Sequence, residues 1–351
     1  MKKLVFLFFI VLVSGLAMGQ NTSTTTQLGD NQQADVSQVG SSTSIITQST
    51  DDDYAQKAVV DQNGASNMAN INQIETDIGT NQSIFAAFST VTQTGDENNA
   101  DIDVFETGGG NKGNLVTSLI QIGNQNSGTQ SLNAPGSNSG HNVTAKQVGN
   151  NNNSTQITNG GYTLSYQVDQ YGSTNNASQT GHGDRYTDAR IKQSGERNSG
   201  TQDIFGSNNG YSAAVVLIDQ LGAGNVATQS FTGTGWSHRN NGEIWQDGTS
   251  NNASQIAYGR SLDLQINQTG ELNEATQNVT GNNYDLGIGL ISATQLGDEN
   301  EAKQTANGDG IVGTIAQTGN YNVATMLQTG NLHSATITQT GNTNTATITQ
   351  N

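Results

Sequence analysis

Cysteine is absent from the 351 residues, proline occurs once, at Pro135, and only 12 Lys+Arg stand against 29 Asp+Glu. The first absence excludes disulfides, thiolate zinc sites and lipidation at a cysteine. The shortage of cations, with a formal net charge of −17, argues against binding to nucleic acid or to anionic membranes, since both need clustered Lys/Arg. Aromatic residues make up 5% and all hydrophobic residues 32%, too little apolar surface for a conventional core in a chain of this length, so a large enzyme domain is disfavoured. Beyond residue 19 no segment approaches the ~20 consecutive apolar residues of a spanning helix, and no membrane insertion is expected. What the chain has instead is 43 Gly, 44 Asn and 34 Gln, so that amide side chains outnumber charged ones almost two to one.

The first residues differ from the rest. Lys2 and Lys3 precede an apolar run from Leu4 to Leu16 and the small-x-small triplet Ala17, Met18, Gly19. This predicts a cleavable secretory signal over residues 1–19 and an exported mature chain. Cleavage after Gly19 removes two lysines and takes the net charge from −17 to −19. Copies of such a chain repel one another while unfolded, which delays association.

After the leader one phrase recurs, Gln-x-Gly-x-x-Asn-x-small. Its Gln and Asn fall at Gln62 and Asn67, Gln93 and Asn98, Gln121 and Asn126, Gln147 and Asn152, Gln170 and Asn175, and Gln193 and Asn198. They continue at Gln220 and Asn225, Gln246 and Asn251, Gln268 and Asn273, Gln295 and Asn300, Gln317 and Asn322, and Gln339 and Asn344. From Gln121 to Gln317 the spacing is 22 to 27 residues, and at the end it tightens to 11, through Gln317, Gln328 and Gln339. The unit is thus two halves of 11. Degenerate copies begin at Gln27 and Gln38, the stretch from Ser41 to Gly113 is looser, and inserts include Ala134 to Gly140. The chain divides into a leader (1–19), an N-terminal segment of degenerate repeats and inserts (20–120) and a regular repeat region (121–351).

Within each unit apolar residues alternate with polar ones. Counting back from Gln220 gives Ile218, Val216 and Ala214, and from Gln170 gives Val168, Tyr166 and Leu164. Counting forward gives Asn175, Ala177, Gln179 and Asn322, Ala324, Met326, Gln328. These are strands with one inward face. The glycines at Gly172, Gly195, Gly222, Gly248, Gly270, Gly297, Gly319, Gly330 and Gly341 supply a tight turn between them, at positive φ. Each unit reads as strand, fixed turn, strand, variable turn. One unit cannot bury its inner face, so units must stack. The expected fold is all-β: a β-solenoid of two facing parallel sheets, with about 14 coils over about 65 Å. Inward amides, closing with Gln350, then hydrogen-bond in ladders along the stack, because an unpaired one costs roughly 1–3 kcal/mol.

The spacing Gln-x-Gly-x-x-Asn-x-Ala-x-x-x-Gln resembles the curlin repeat of bacterial curli subunits. It stands complete in Gln62, Gly64, Asn67, Ala69, Gln73, in Gln317, Gly319, Asn322, Ala324, Gln328, and in Gln339, Gly341, Asn344, Ala346, Gln350. In the middle repeats the second Gln comes four residues after the Asn, as in Gln179, Gln202, Gln229, Gln255, Gln277 and Gln304, rather than six. Both positions have inward parity, so the ladder is expected to survive the shift. The resemblance implies an extracellular or cell-surface functional amyloid of the biofilm matrix, exported unfolded through a dedicated outer-membrane secretion pore and polymerised on a nucleator subunit, with itself as main partner. A nucleating or minor subunit is the alternative within the family.

Other chemistry is weakly indicated. Gly308 to Gly313 spells GxGxxG and Gly222 to Ala227 nearly does, but neither follows a strand and opens a helix as a dinucleotide site requires. His141, His182, His238 and His333 lie in different repeats without metal-ligand spacing. The acidic groups Asp51 to Asp53, Asp96 with Glu97, and Asp298, Glu299 and Glu301 read as solubilising charges at turns and outward positions rather than a catalytic pair or a calcium site. No catalytic, cofactor or metal site is expected. Outward Thr336, Thr338, Thr347, Thr349 and Thr325 raise a rival from another class, a monomeric solenoid adhesin or ice-binding surface protein. The most regular half-repeats, Gln317 to Gln350, predict an uncapped edge on which copies add.

Overall fold

The computed structural model describes residues 20–351 apart from 51–54, 77–85, 108–114, 134–140, 161, 183–184, 206–213, 233–239, 259–262, 282–288 and 309. The expected leader, the Asp51 to Asp53 patch, the Ala134 to Gly140 insert and His238 lie outside the described residues.

Among the described residues there are 27 strands and no helix. Numbered in chain order they alternate between two sheets. The odd-numbered strands, from β1 (Thr22–Leu28) to β27 (Thr345–Gln350), form a 14-stranded sheet A; the even-numbered, from β2 (Gln32–Val39) to β26 (Ser334–Thr340), form a 13-stranded sheet B. All pairings are parallel, each strand bonding to the strand two later in the chain, so the chain winds as a β-solenoid.

The register is the one the repeats dictate. In β16 (Ala214–Ala223), Val216, Ile218, Gln220 and Gly222 lie on Ala189, Ile191, Gln193 and Gly195 of β14 (Arg185–Glu196). A one-residue slip would turn every apolar side chain outward, so the alternation fixes pairing as well as face. Sheet B contributes an aliphatic column, Val168, Ile191, Ile218, Ile244 and Ile266. Sheet A faces it with small residues: Ala177, Gly200, Ala227, Ala253, Ala275, Ala302 and Ala324. Small against large keeps the sheets close enough to exclude water. Where a large ring intrudes, glycine makes room. A Cβ on Gly181 would overlap the Tyr166 hydroxyl, and one on Gly242 would overlap the Phe231 ring. Both rings are 1% exposed, which places them in the core despite the low aromatic content.

Candidate functional site

The chemistry of this fold is concentrated on its axis. Gln38, Gln62, Gln93, Gln121, Gln147, Gln170, Gln193, Gln220, Gln246, Gln268, Gln295, Gln317 and Gln339 form one column on sheet B, linked by bonds of 2.7–3.0 Å. In every one the Nε2 donates to the Oε1 of the next glutamine toward the C-terminus. The ladder is therefore polar. The second amide proton crosses to the other sheet, as in Gln193 Nε2 to the Asn176 carbonyl at 2.9 Å. Each glutamine thus ties coil to coil and sheet to sheet.

The second glutamine column, on sheet A, is not one ladder. Gln27, Gln48 and Gln73 form a block six residues past the Asn position. Gln130, Gln156, Gln179, Gln202, Gln229, Gln255, Gln277 and Gln304 form a second block at the inner position, bonded at 2.8–3.0 Å. Gln328 and Gln350 return to the outer position. As expected, a ladder forms one step inward through the middle repeats, but it does not join the outer blocks. Equal parity keeps both positions inward, but they are separate columns, and each change of column breaks the chain of bonds. At the first break Gln73 stacks on Val104 and Ile102 on Gln130; Gln73 donates to Ser89 Oγ instead, while Gln130 Oε1 is buried without a hydrogen-bond partner. At the second, Gln304 stacks on Met326 and Ala306 on Gln328.

The turn is built by a third column. Asn67, Asn98, Asn126, Asn152, Asn175, Asn198, Asn225, Asn251, Asn273, Asn300 and Asn322 are at most 1% exposed. Asn344 caps the series on the last coil. Each Asn Oδ1 accepts the main-chain N–H of the next Asn, and in all but the Asn198–Asn225 step its Nδ2 as well. The other Nδ2 proton reaches forward to a glycine carbonyl of the next coil, as from Asn175 to Gly195 at 2.9 Å. That glycine has no substitute. The turn glycines, among them Gly172, Gly195, Gly222, Gly248, Gly270, Gly297, Gly319, Gly330 and Gly341, have φ between +101° and +122° or, for Gly248, +131°. From Gly172 to Gly319, a Cβ on any of these would strike the carbonyl oxygen of the glycine one coil on.

Two residues after each such glycine the backbone is left-handed again, at φ +54° to +59° or, at Gly224, +66°, and residues as unsuited as Thr174, Leu272, Tyr321 and Thr343 occupy it. Single L-residues there cost about 1–2 kcal/mol. The strain persists because the columns on either side fix the turn.

Ser42, Asn21, Gln130 and Gln156 join these columns without standing in the motif as read. Ser42 replaces Asn in a turn one residue shorter and donates its hydroxyl to the Gly64 carbonyl at 3.1 Å. Asn21 accepts the Ser42 N–H at 3.0 Å, so it also sits in the Asn column. Gln130 and Gln156 could have been found by their spacing of nine from Gln121 and Gln147. Outside the columns, His141, His182 and His333 fall in separate coils. Among the described residues no three His, Asp or Glu side chains converge to hold a metal ion. His141 is 3% exposed between Leu115 and Leu164, and burial pushes its pKa down to about 4. Asp96, Glu97, Asp298 and Glu299 lie in turns, and Glu301 faces solvent. Gly222 to Ala227 forms a strand-to-strand turn rather than a strand-to-helix one.

A family model described as the curlin associated repeat matches residues 308–341 and 324–351. This is the stretch in which Gly308, Gly319, Gly330 and Gly341 give both turns of a coil the same positive-φ form. No curated protein sequence matches the chain.

Proposed function

Starting from its membership of the curlin-repeat family, carried by the repeats at residues 308–351, we propose that this chain is a structural subunit which stacks on copies of itself into extracellular curli-like fibres. The observation that carries this reading is the unbroken ladder from Gln38 to Gln339, in which every coil offers the next the same glutamine bond with one polarity. What joins coil to coil within one chain serves equally to join one chain to another, and stacked parallel strands with amide ladders are the bonding of cross-β fibres. A role in biofilm matrix and cell adhesion, passage through a curli-type secretion pore and growth on a nucleator subunit follow from the same family reading. Export by way of residues 1–19 rests instead on the pattern of the leader itself, Lys2 and Lys3 before the apolar run Leu4 to Leu16. The role proposed is a structural one: among the described residues the histidines His141, His182 and His333 fall in separate coils, and Asp96, Glu97, Asp298 and Glu299 lie in turns.

The test is to dilute residues 20–351 from denaturant, follow thioflavin fluorescence and record fibre diffraction. Seeded growth with reflections near 4.7 and 10 Å is expected, those being about the strand and sheet spacings. A soluble β-rich monomer that neither seeds nor diffracts in this way overturns the proposal.

A further inference from the structure

The two sheets are unequal, 14 strands against 13, and the odd strand is β1. From β2 onward the strands pair off into complete coils, one of sheet B and one of sheet A, ending with β26 and β27. β1 precedes these coils and lies on β3 (Thr43–Thr50) at the edge of sheet A, all seven of its residues exposed.

The sequence of β1 is informative. Asn21 to Gln27 reads Asn-Thr-Ser-Thr-Thr-Thr-Gln, and Asn344 to Gln350 reads Asn-Thr-Ala-Thr-Ile-Thr-Gln, identical at five of seven positions. In its seat on β3, β1 makes the bonds that β25 (Val323–Thr329) makes to β27, the bonds β27 would make to a following strand. Asn21 Oδ1 accepts the Ser42 N–H at 3.0 Å, as Asn322 accepts that of Asn344, and Gln27 Nε2 donates to Gln48 Oε1 at 2.8 Å, as Gln328 does to Gln350. The two differences lie on the inward face. β1 sets Ser23 and Thr25 against Ser44 and Ile46, where β27 carries Ala346 and Ile348, which pack on the hydrophobic core. β1 is a polar version of β27.

We propose that the seat of β1 on β3 is the docking site for β27 of a second copy, and that β1 holds this seat only until the copy arrives. This rests on the fibre-subunit reading above. With β1 displaced, each sheet of the receiving copy has 13 strands. The incoming β26 then meets β2 while β27 meets β3. Gln339 comes under Gln38, Gln350 under Gln48 and Asn344 under Ser42, and both glutamine ladders pass unbroken through the joint. With β1 left in place, β27 would stack on β1 and leave β26 two strand spacings, about 9.6 Å, from β2. Gln339 would not reach Gln38, and the core would be open there. The exchange gives up the 3.0 Å bond from Ser44 Oγ to Ser23 Oγ, since Ala346 takes the place of Ser23, and gains the aliphatic side chain of Ile348 over Ile46 where Thr25 brings a hydroxyl; the balance favours the incoming strand because it also closes the core between β26 and β2.

The absence of cysteine makes the test clean. In the register of β1 on β3, outward Thr26 lies on Thr47, and β27 in the same seat places Thr349 there. Adjacent strands are close enough for a disulfide. Fibres of Thr47→Cys/Thr349→Cys, oxidised after assembly, are expected to give a covalent ladder of multimers on a non-reducing gel, and fibres of Thr26→Cys/Thr349→Cys are not. The opposite pattern, with fibres intact, overturns this proposal and leaves the fibre reading standing; a chain that remains monomeric overturns both. Two further variants separate displacement from misfolding. Locking β1 with Thr26→Cys/Thr47→Cys should halt elongation when oxidised and restore it on reduction. Deleting residues 20–28 should speed seeded elongation roughly tenfold, the factor for a seat vacant about a tenth of the time. Slower growth on deletion would mean that β1 is a bridge between copies, and the proposal would fail.

Discussion

Gln193 shows what a single side chain does here. It accepts from Gln170 at 2.9 Å, donates to Gln220 at 2.8 Å and crosses to Asn176. Replacing it with leucine keeps the volume and leaves a buried donor on Gln170 and a buried acceptor on Gln220. Gln193→Leu should therefore destabilise by about 2–5 kcal/mol, read as a lowered urea midpoint, despite the added apolar surface. Exposed Gln265, in a strand and outward-facing, changed to leucine should leave the midpoint within ~0.5 kcal/mol. His141 gives the fold a pH dependence of known sign. Its folded pKa of about 4 lies below the unfolded value of 6.5, so between the two the unfolded chain holds a proton that the folded chain does not. Stability is complete above about pH 6.5 and falls as pH drops toward 4, by about 3 kcal/mol from this group. His141→Leu should remove that component, seen as a smaller fall in unfolding free energy between pH 7 and 4. The paired Gln and Asn were legible as residues because they repeat. The burial of His141 was not, since one histidine beside an insert carries no periodic signal.

At the scale of the strand and turn, the burden of specificity is divided unevenly. Strands are held to a two-residue period by the buried face, so one residue inserted after Val216 sends Ile218 outward and takes Gln220 out of its column. That variant should lower the urea midpoint markedly while the coils away from β16 keep their β-sheet signal by circular dichroism. Two residues inserted into the connection between Phe205 and Ala214 should leave the signal and the midpoint within about 1 kcal/mol, since lengthening a loop costs little closure entropy. The 22-to-27 spacing in the sequence already showed which connection varies. Strand identity, face and turn position were readable from alternation and from the glycines. The breaks in the second glutamine ladder were not, because parity tells inward from outward but does not tell one inward column from its neighbour. The left-handed residues after each glycine were equally hidden. Leu272 and Tyr321 are poor choices for that backbone, so the conformation is imposed by the columns rather than advertised by the residue.

The whole molecule is a nearest-neighbour stack. Among the described residues each strand pairs only with the strands of the adjacent coils, and stability grows by addition of like interfaces rather than by closure of a single core. The low hydrophobic content that excluded a conventional core is sufficient here, because alanine and glycine opposite one aliphatic column make a thin interior. The architecture was legible from the repeat; the unequal sheets were not, because the first strand resembles a degenerate repeat until its partner at the far end is set beside it.

The identical register of neighbouring coils has a consequence for heredity. Excising residues 193–219 joins Lys192 to Gln220, and the pairing of Lys192 with Asp219 and Gln193 with Gln220 means that the splice stays in phase. Gln170 would then meet Gln220 directly, and the shortened chain should fold with its ladders intact and a slightly lower midpoint. A gene encoding such a chain can lose or duplicate 22 to 27 codons at a time by unequal recombination, and its product changes length in whole steps while keeping both ends.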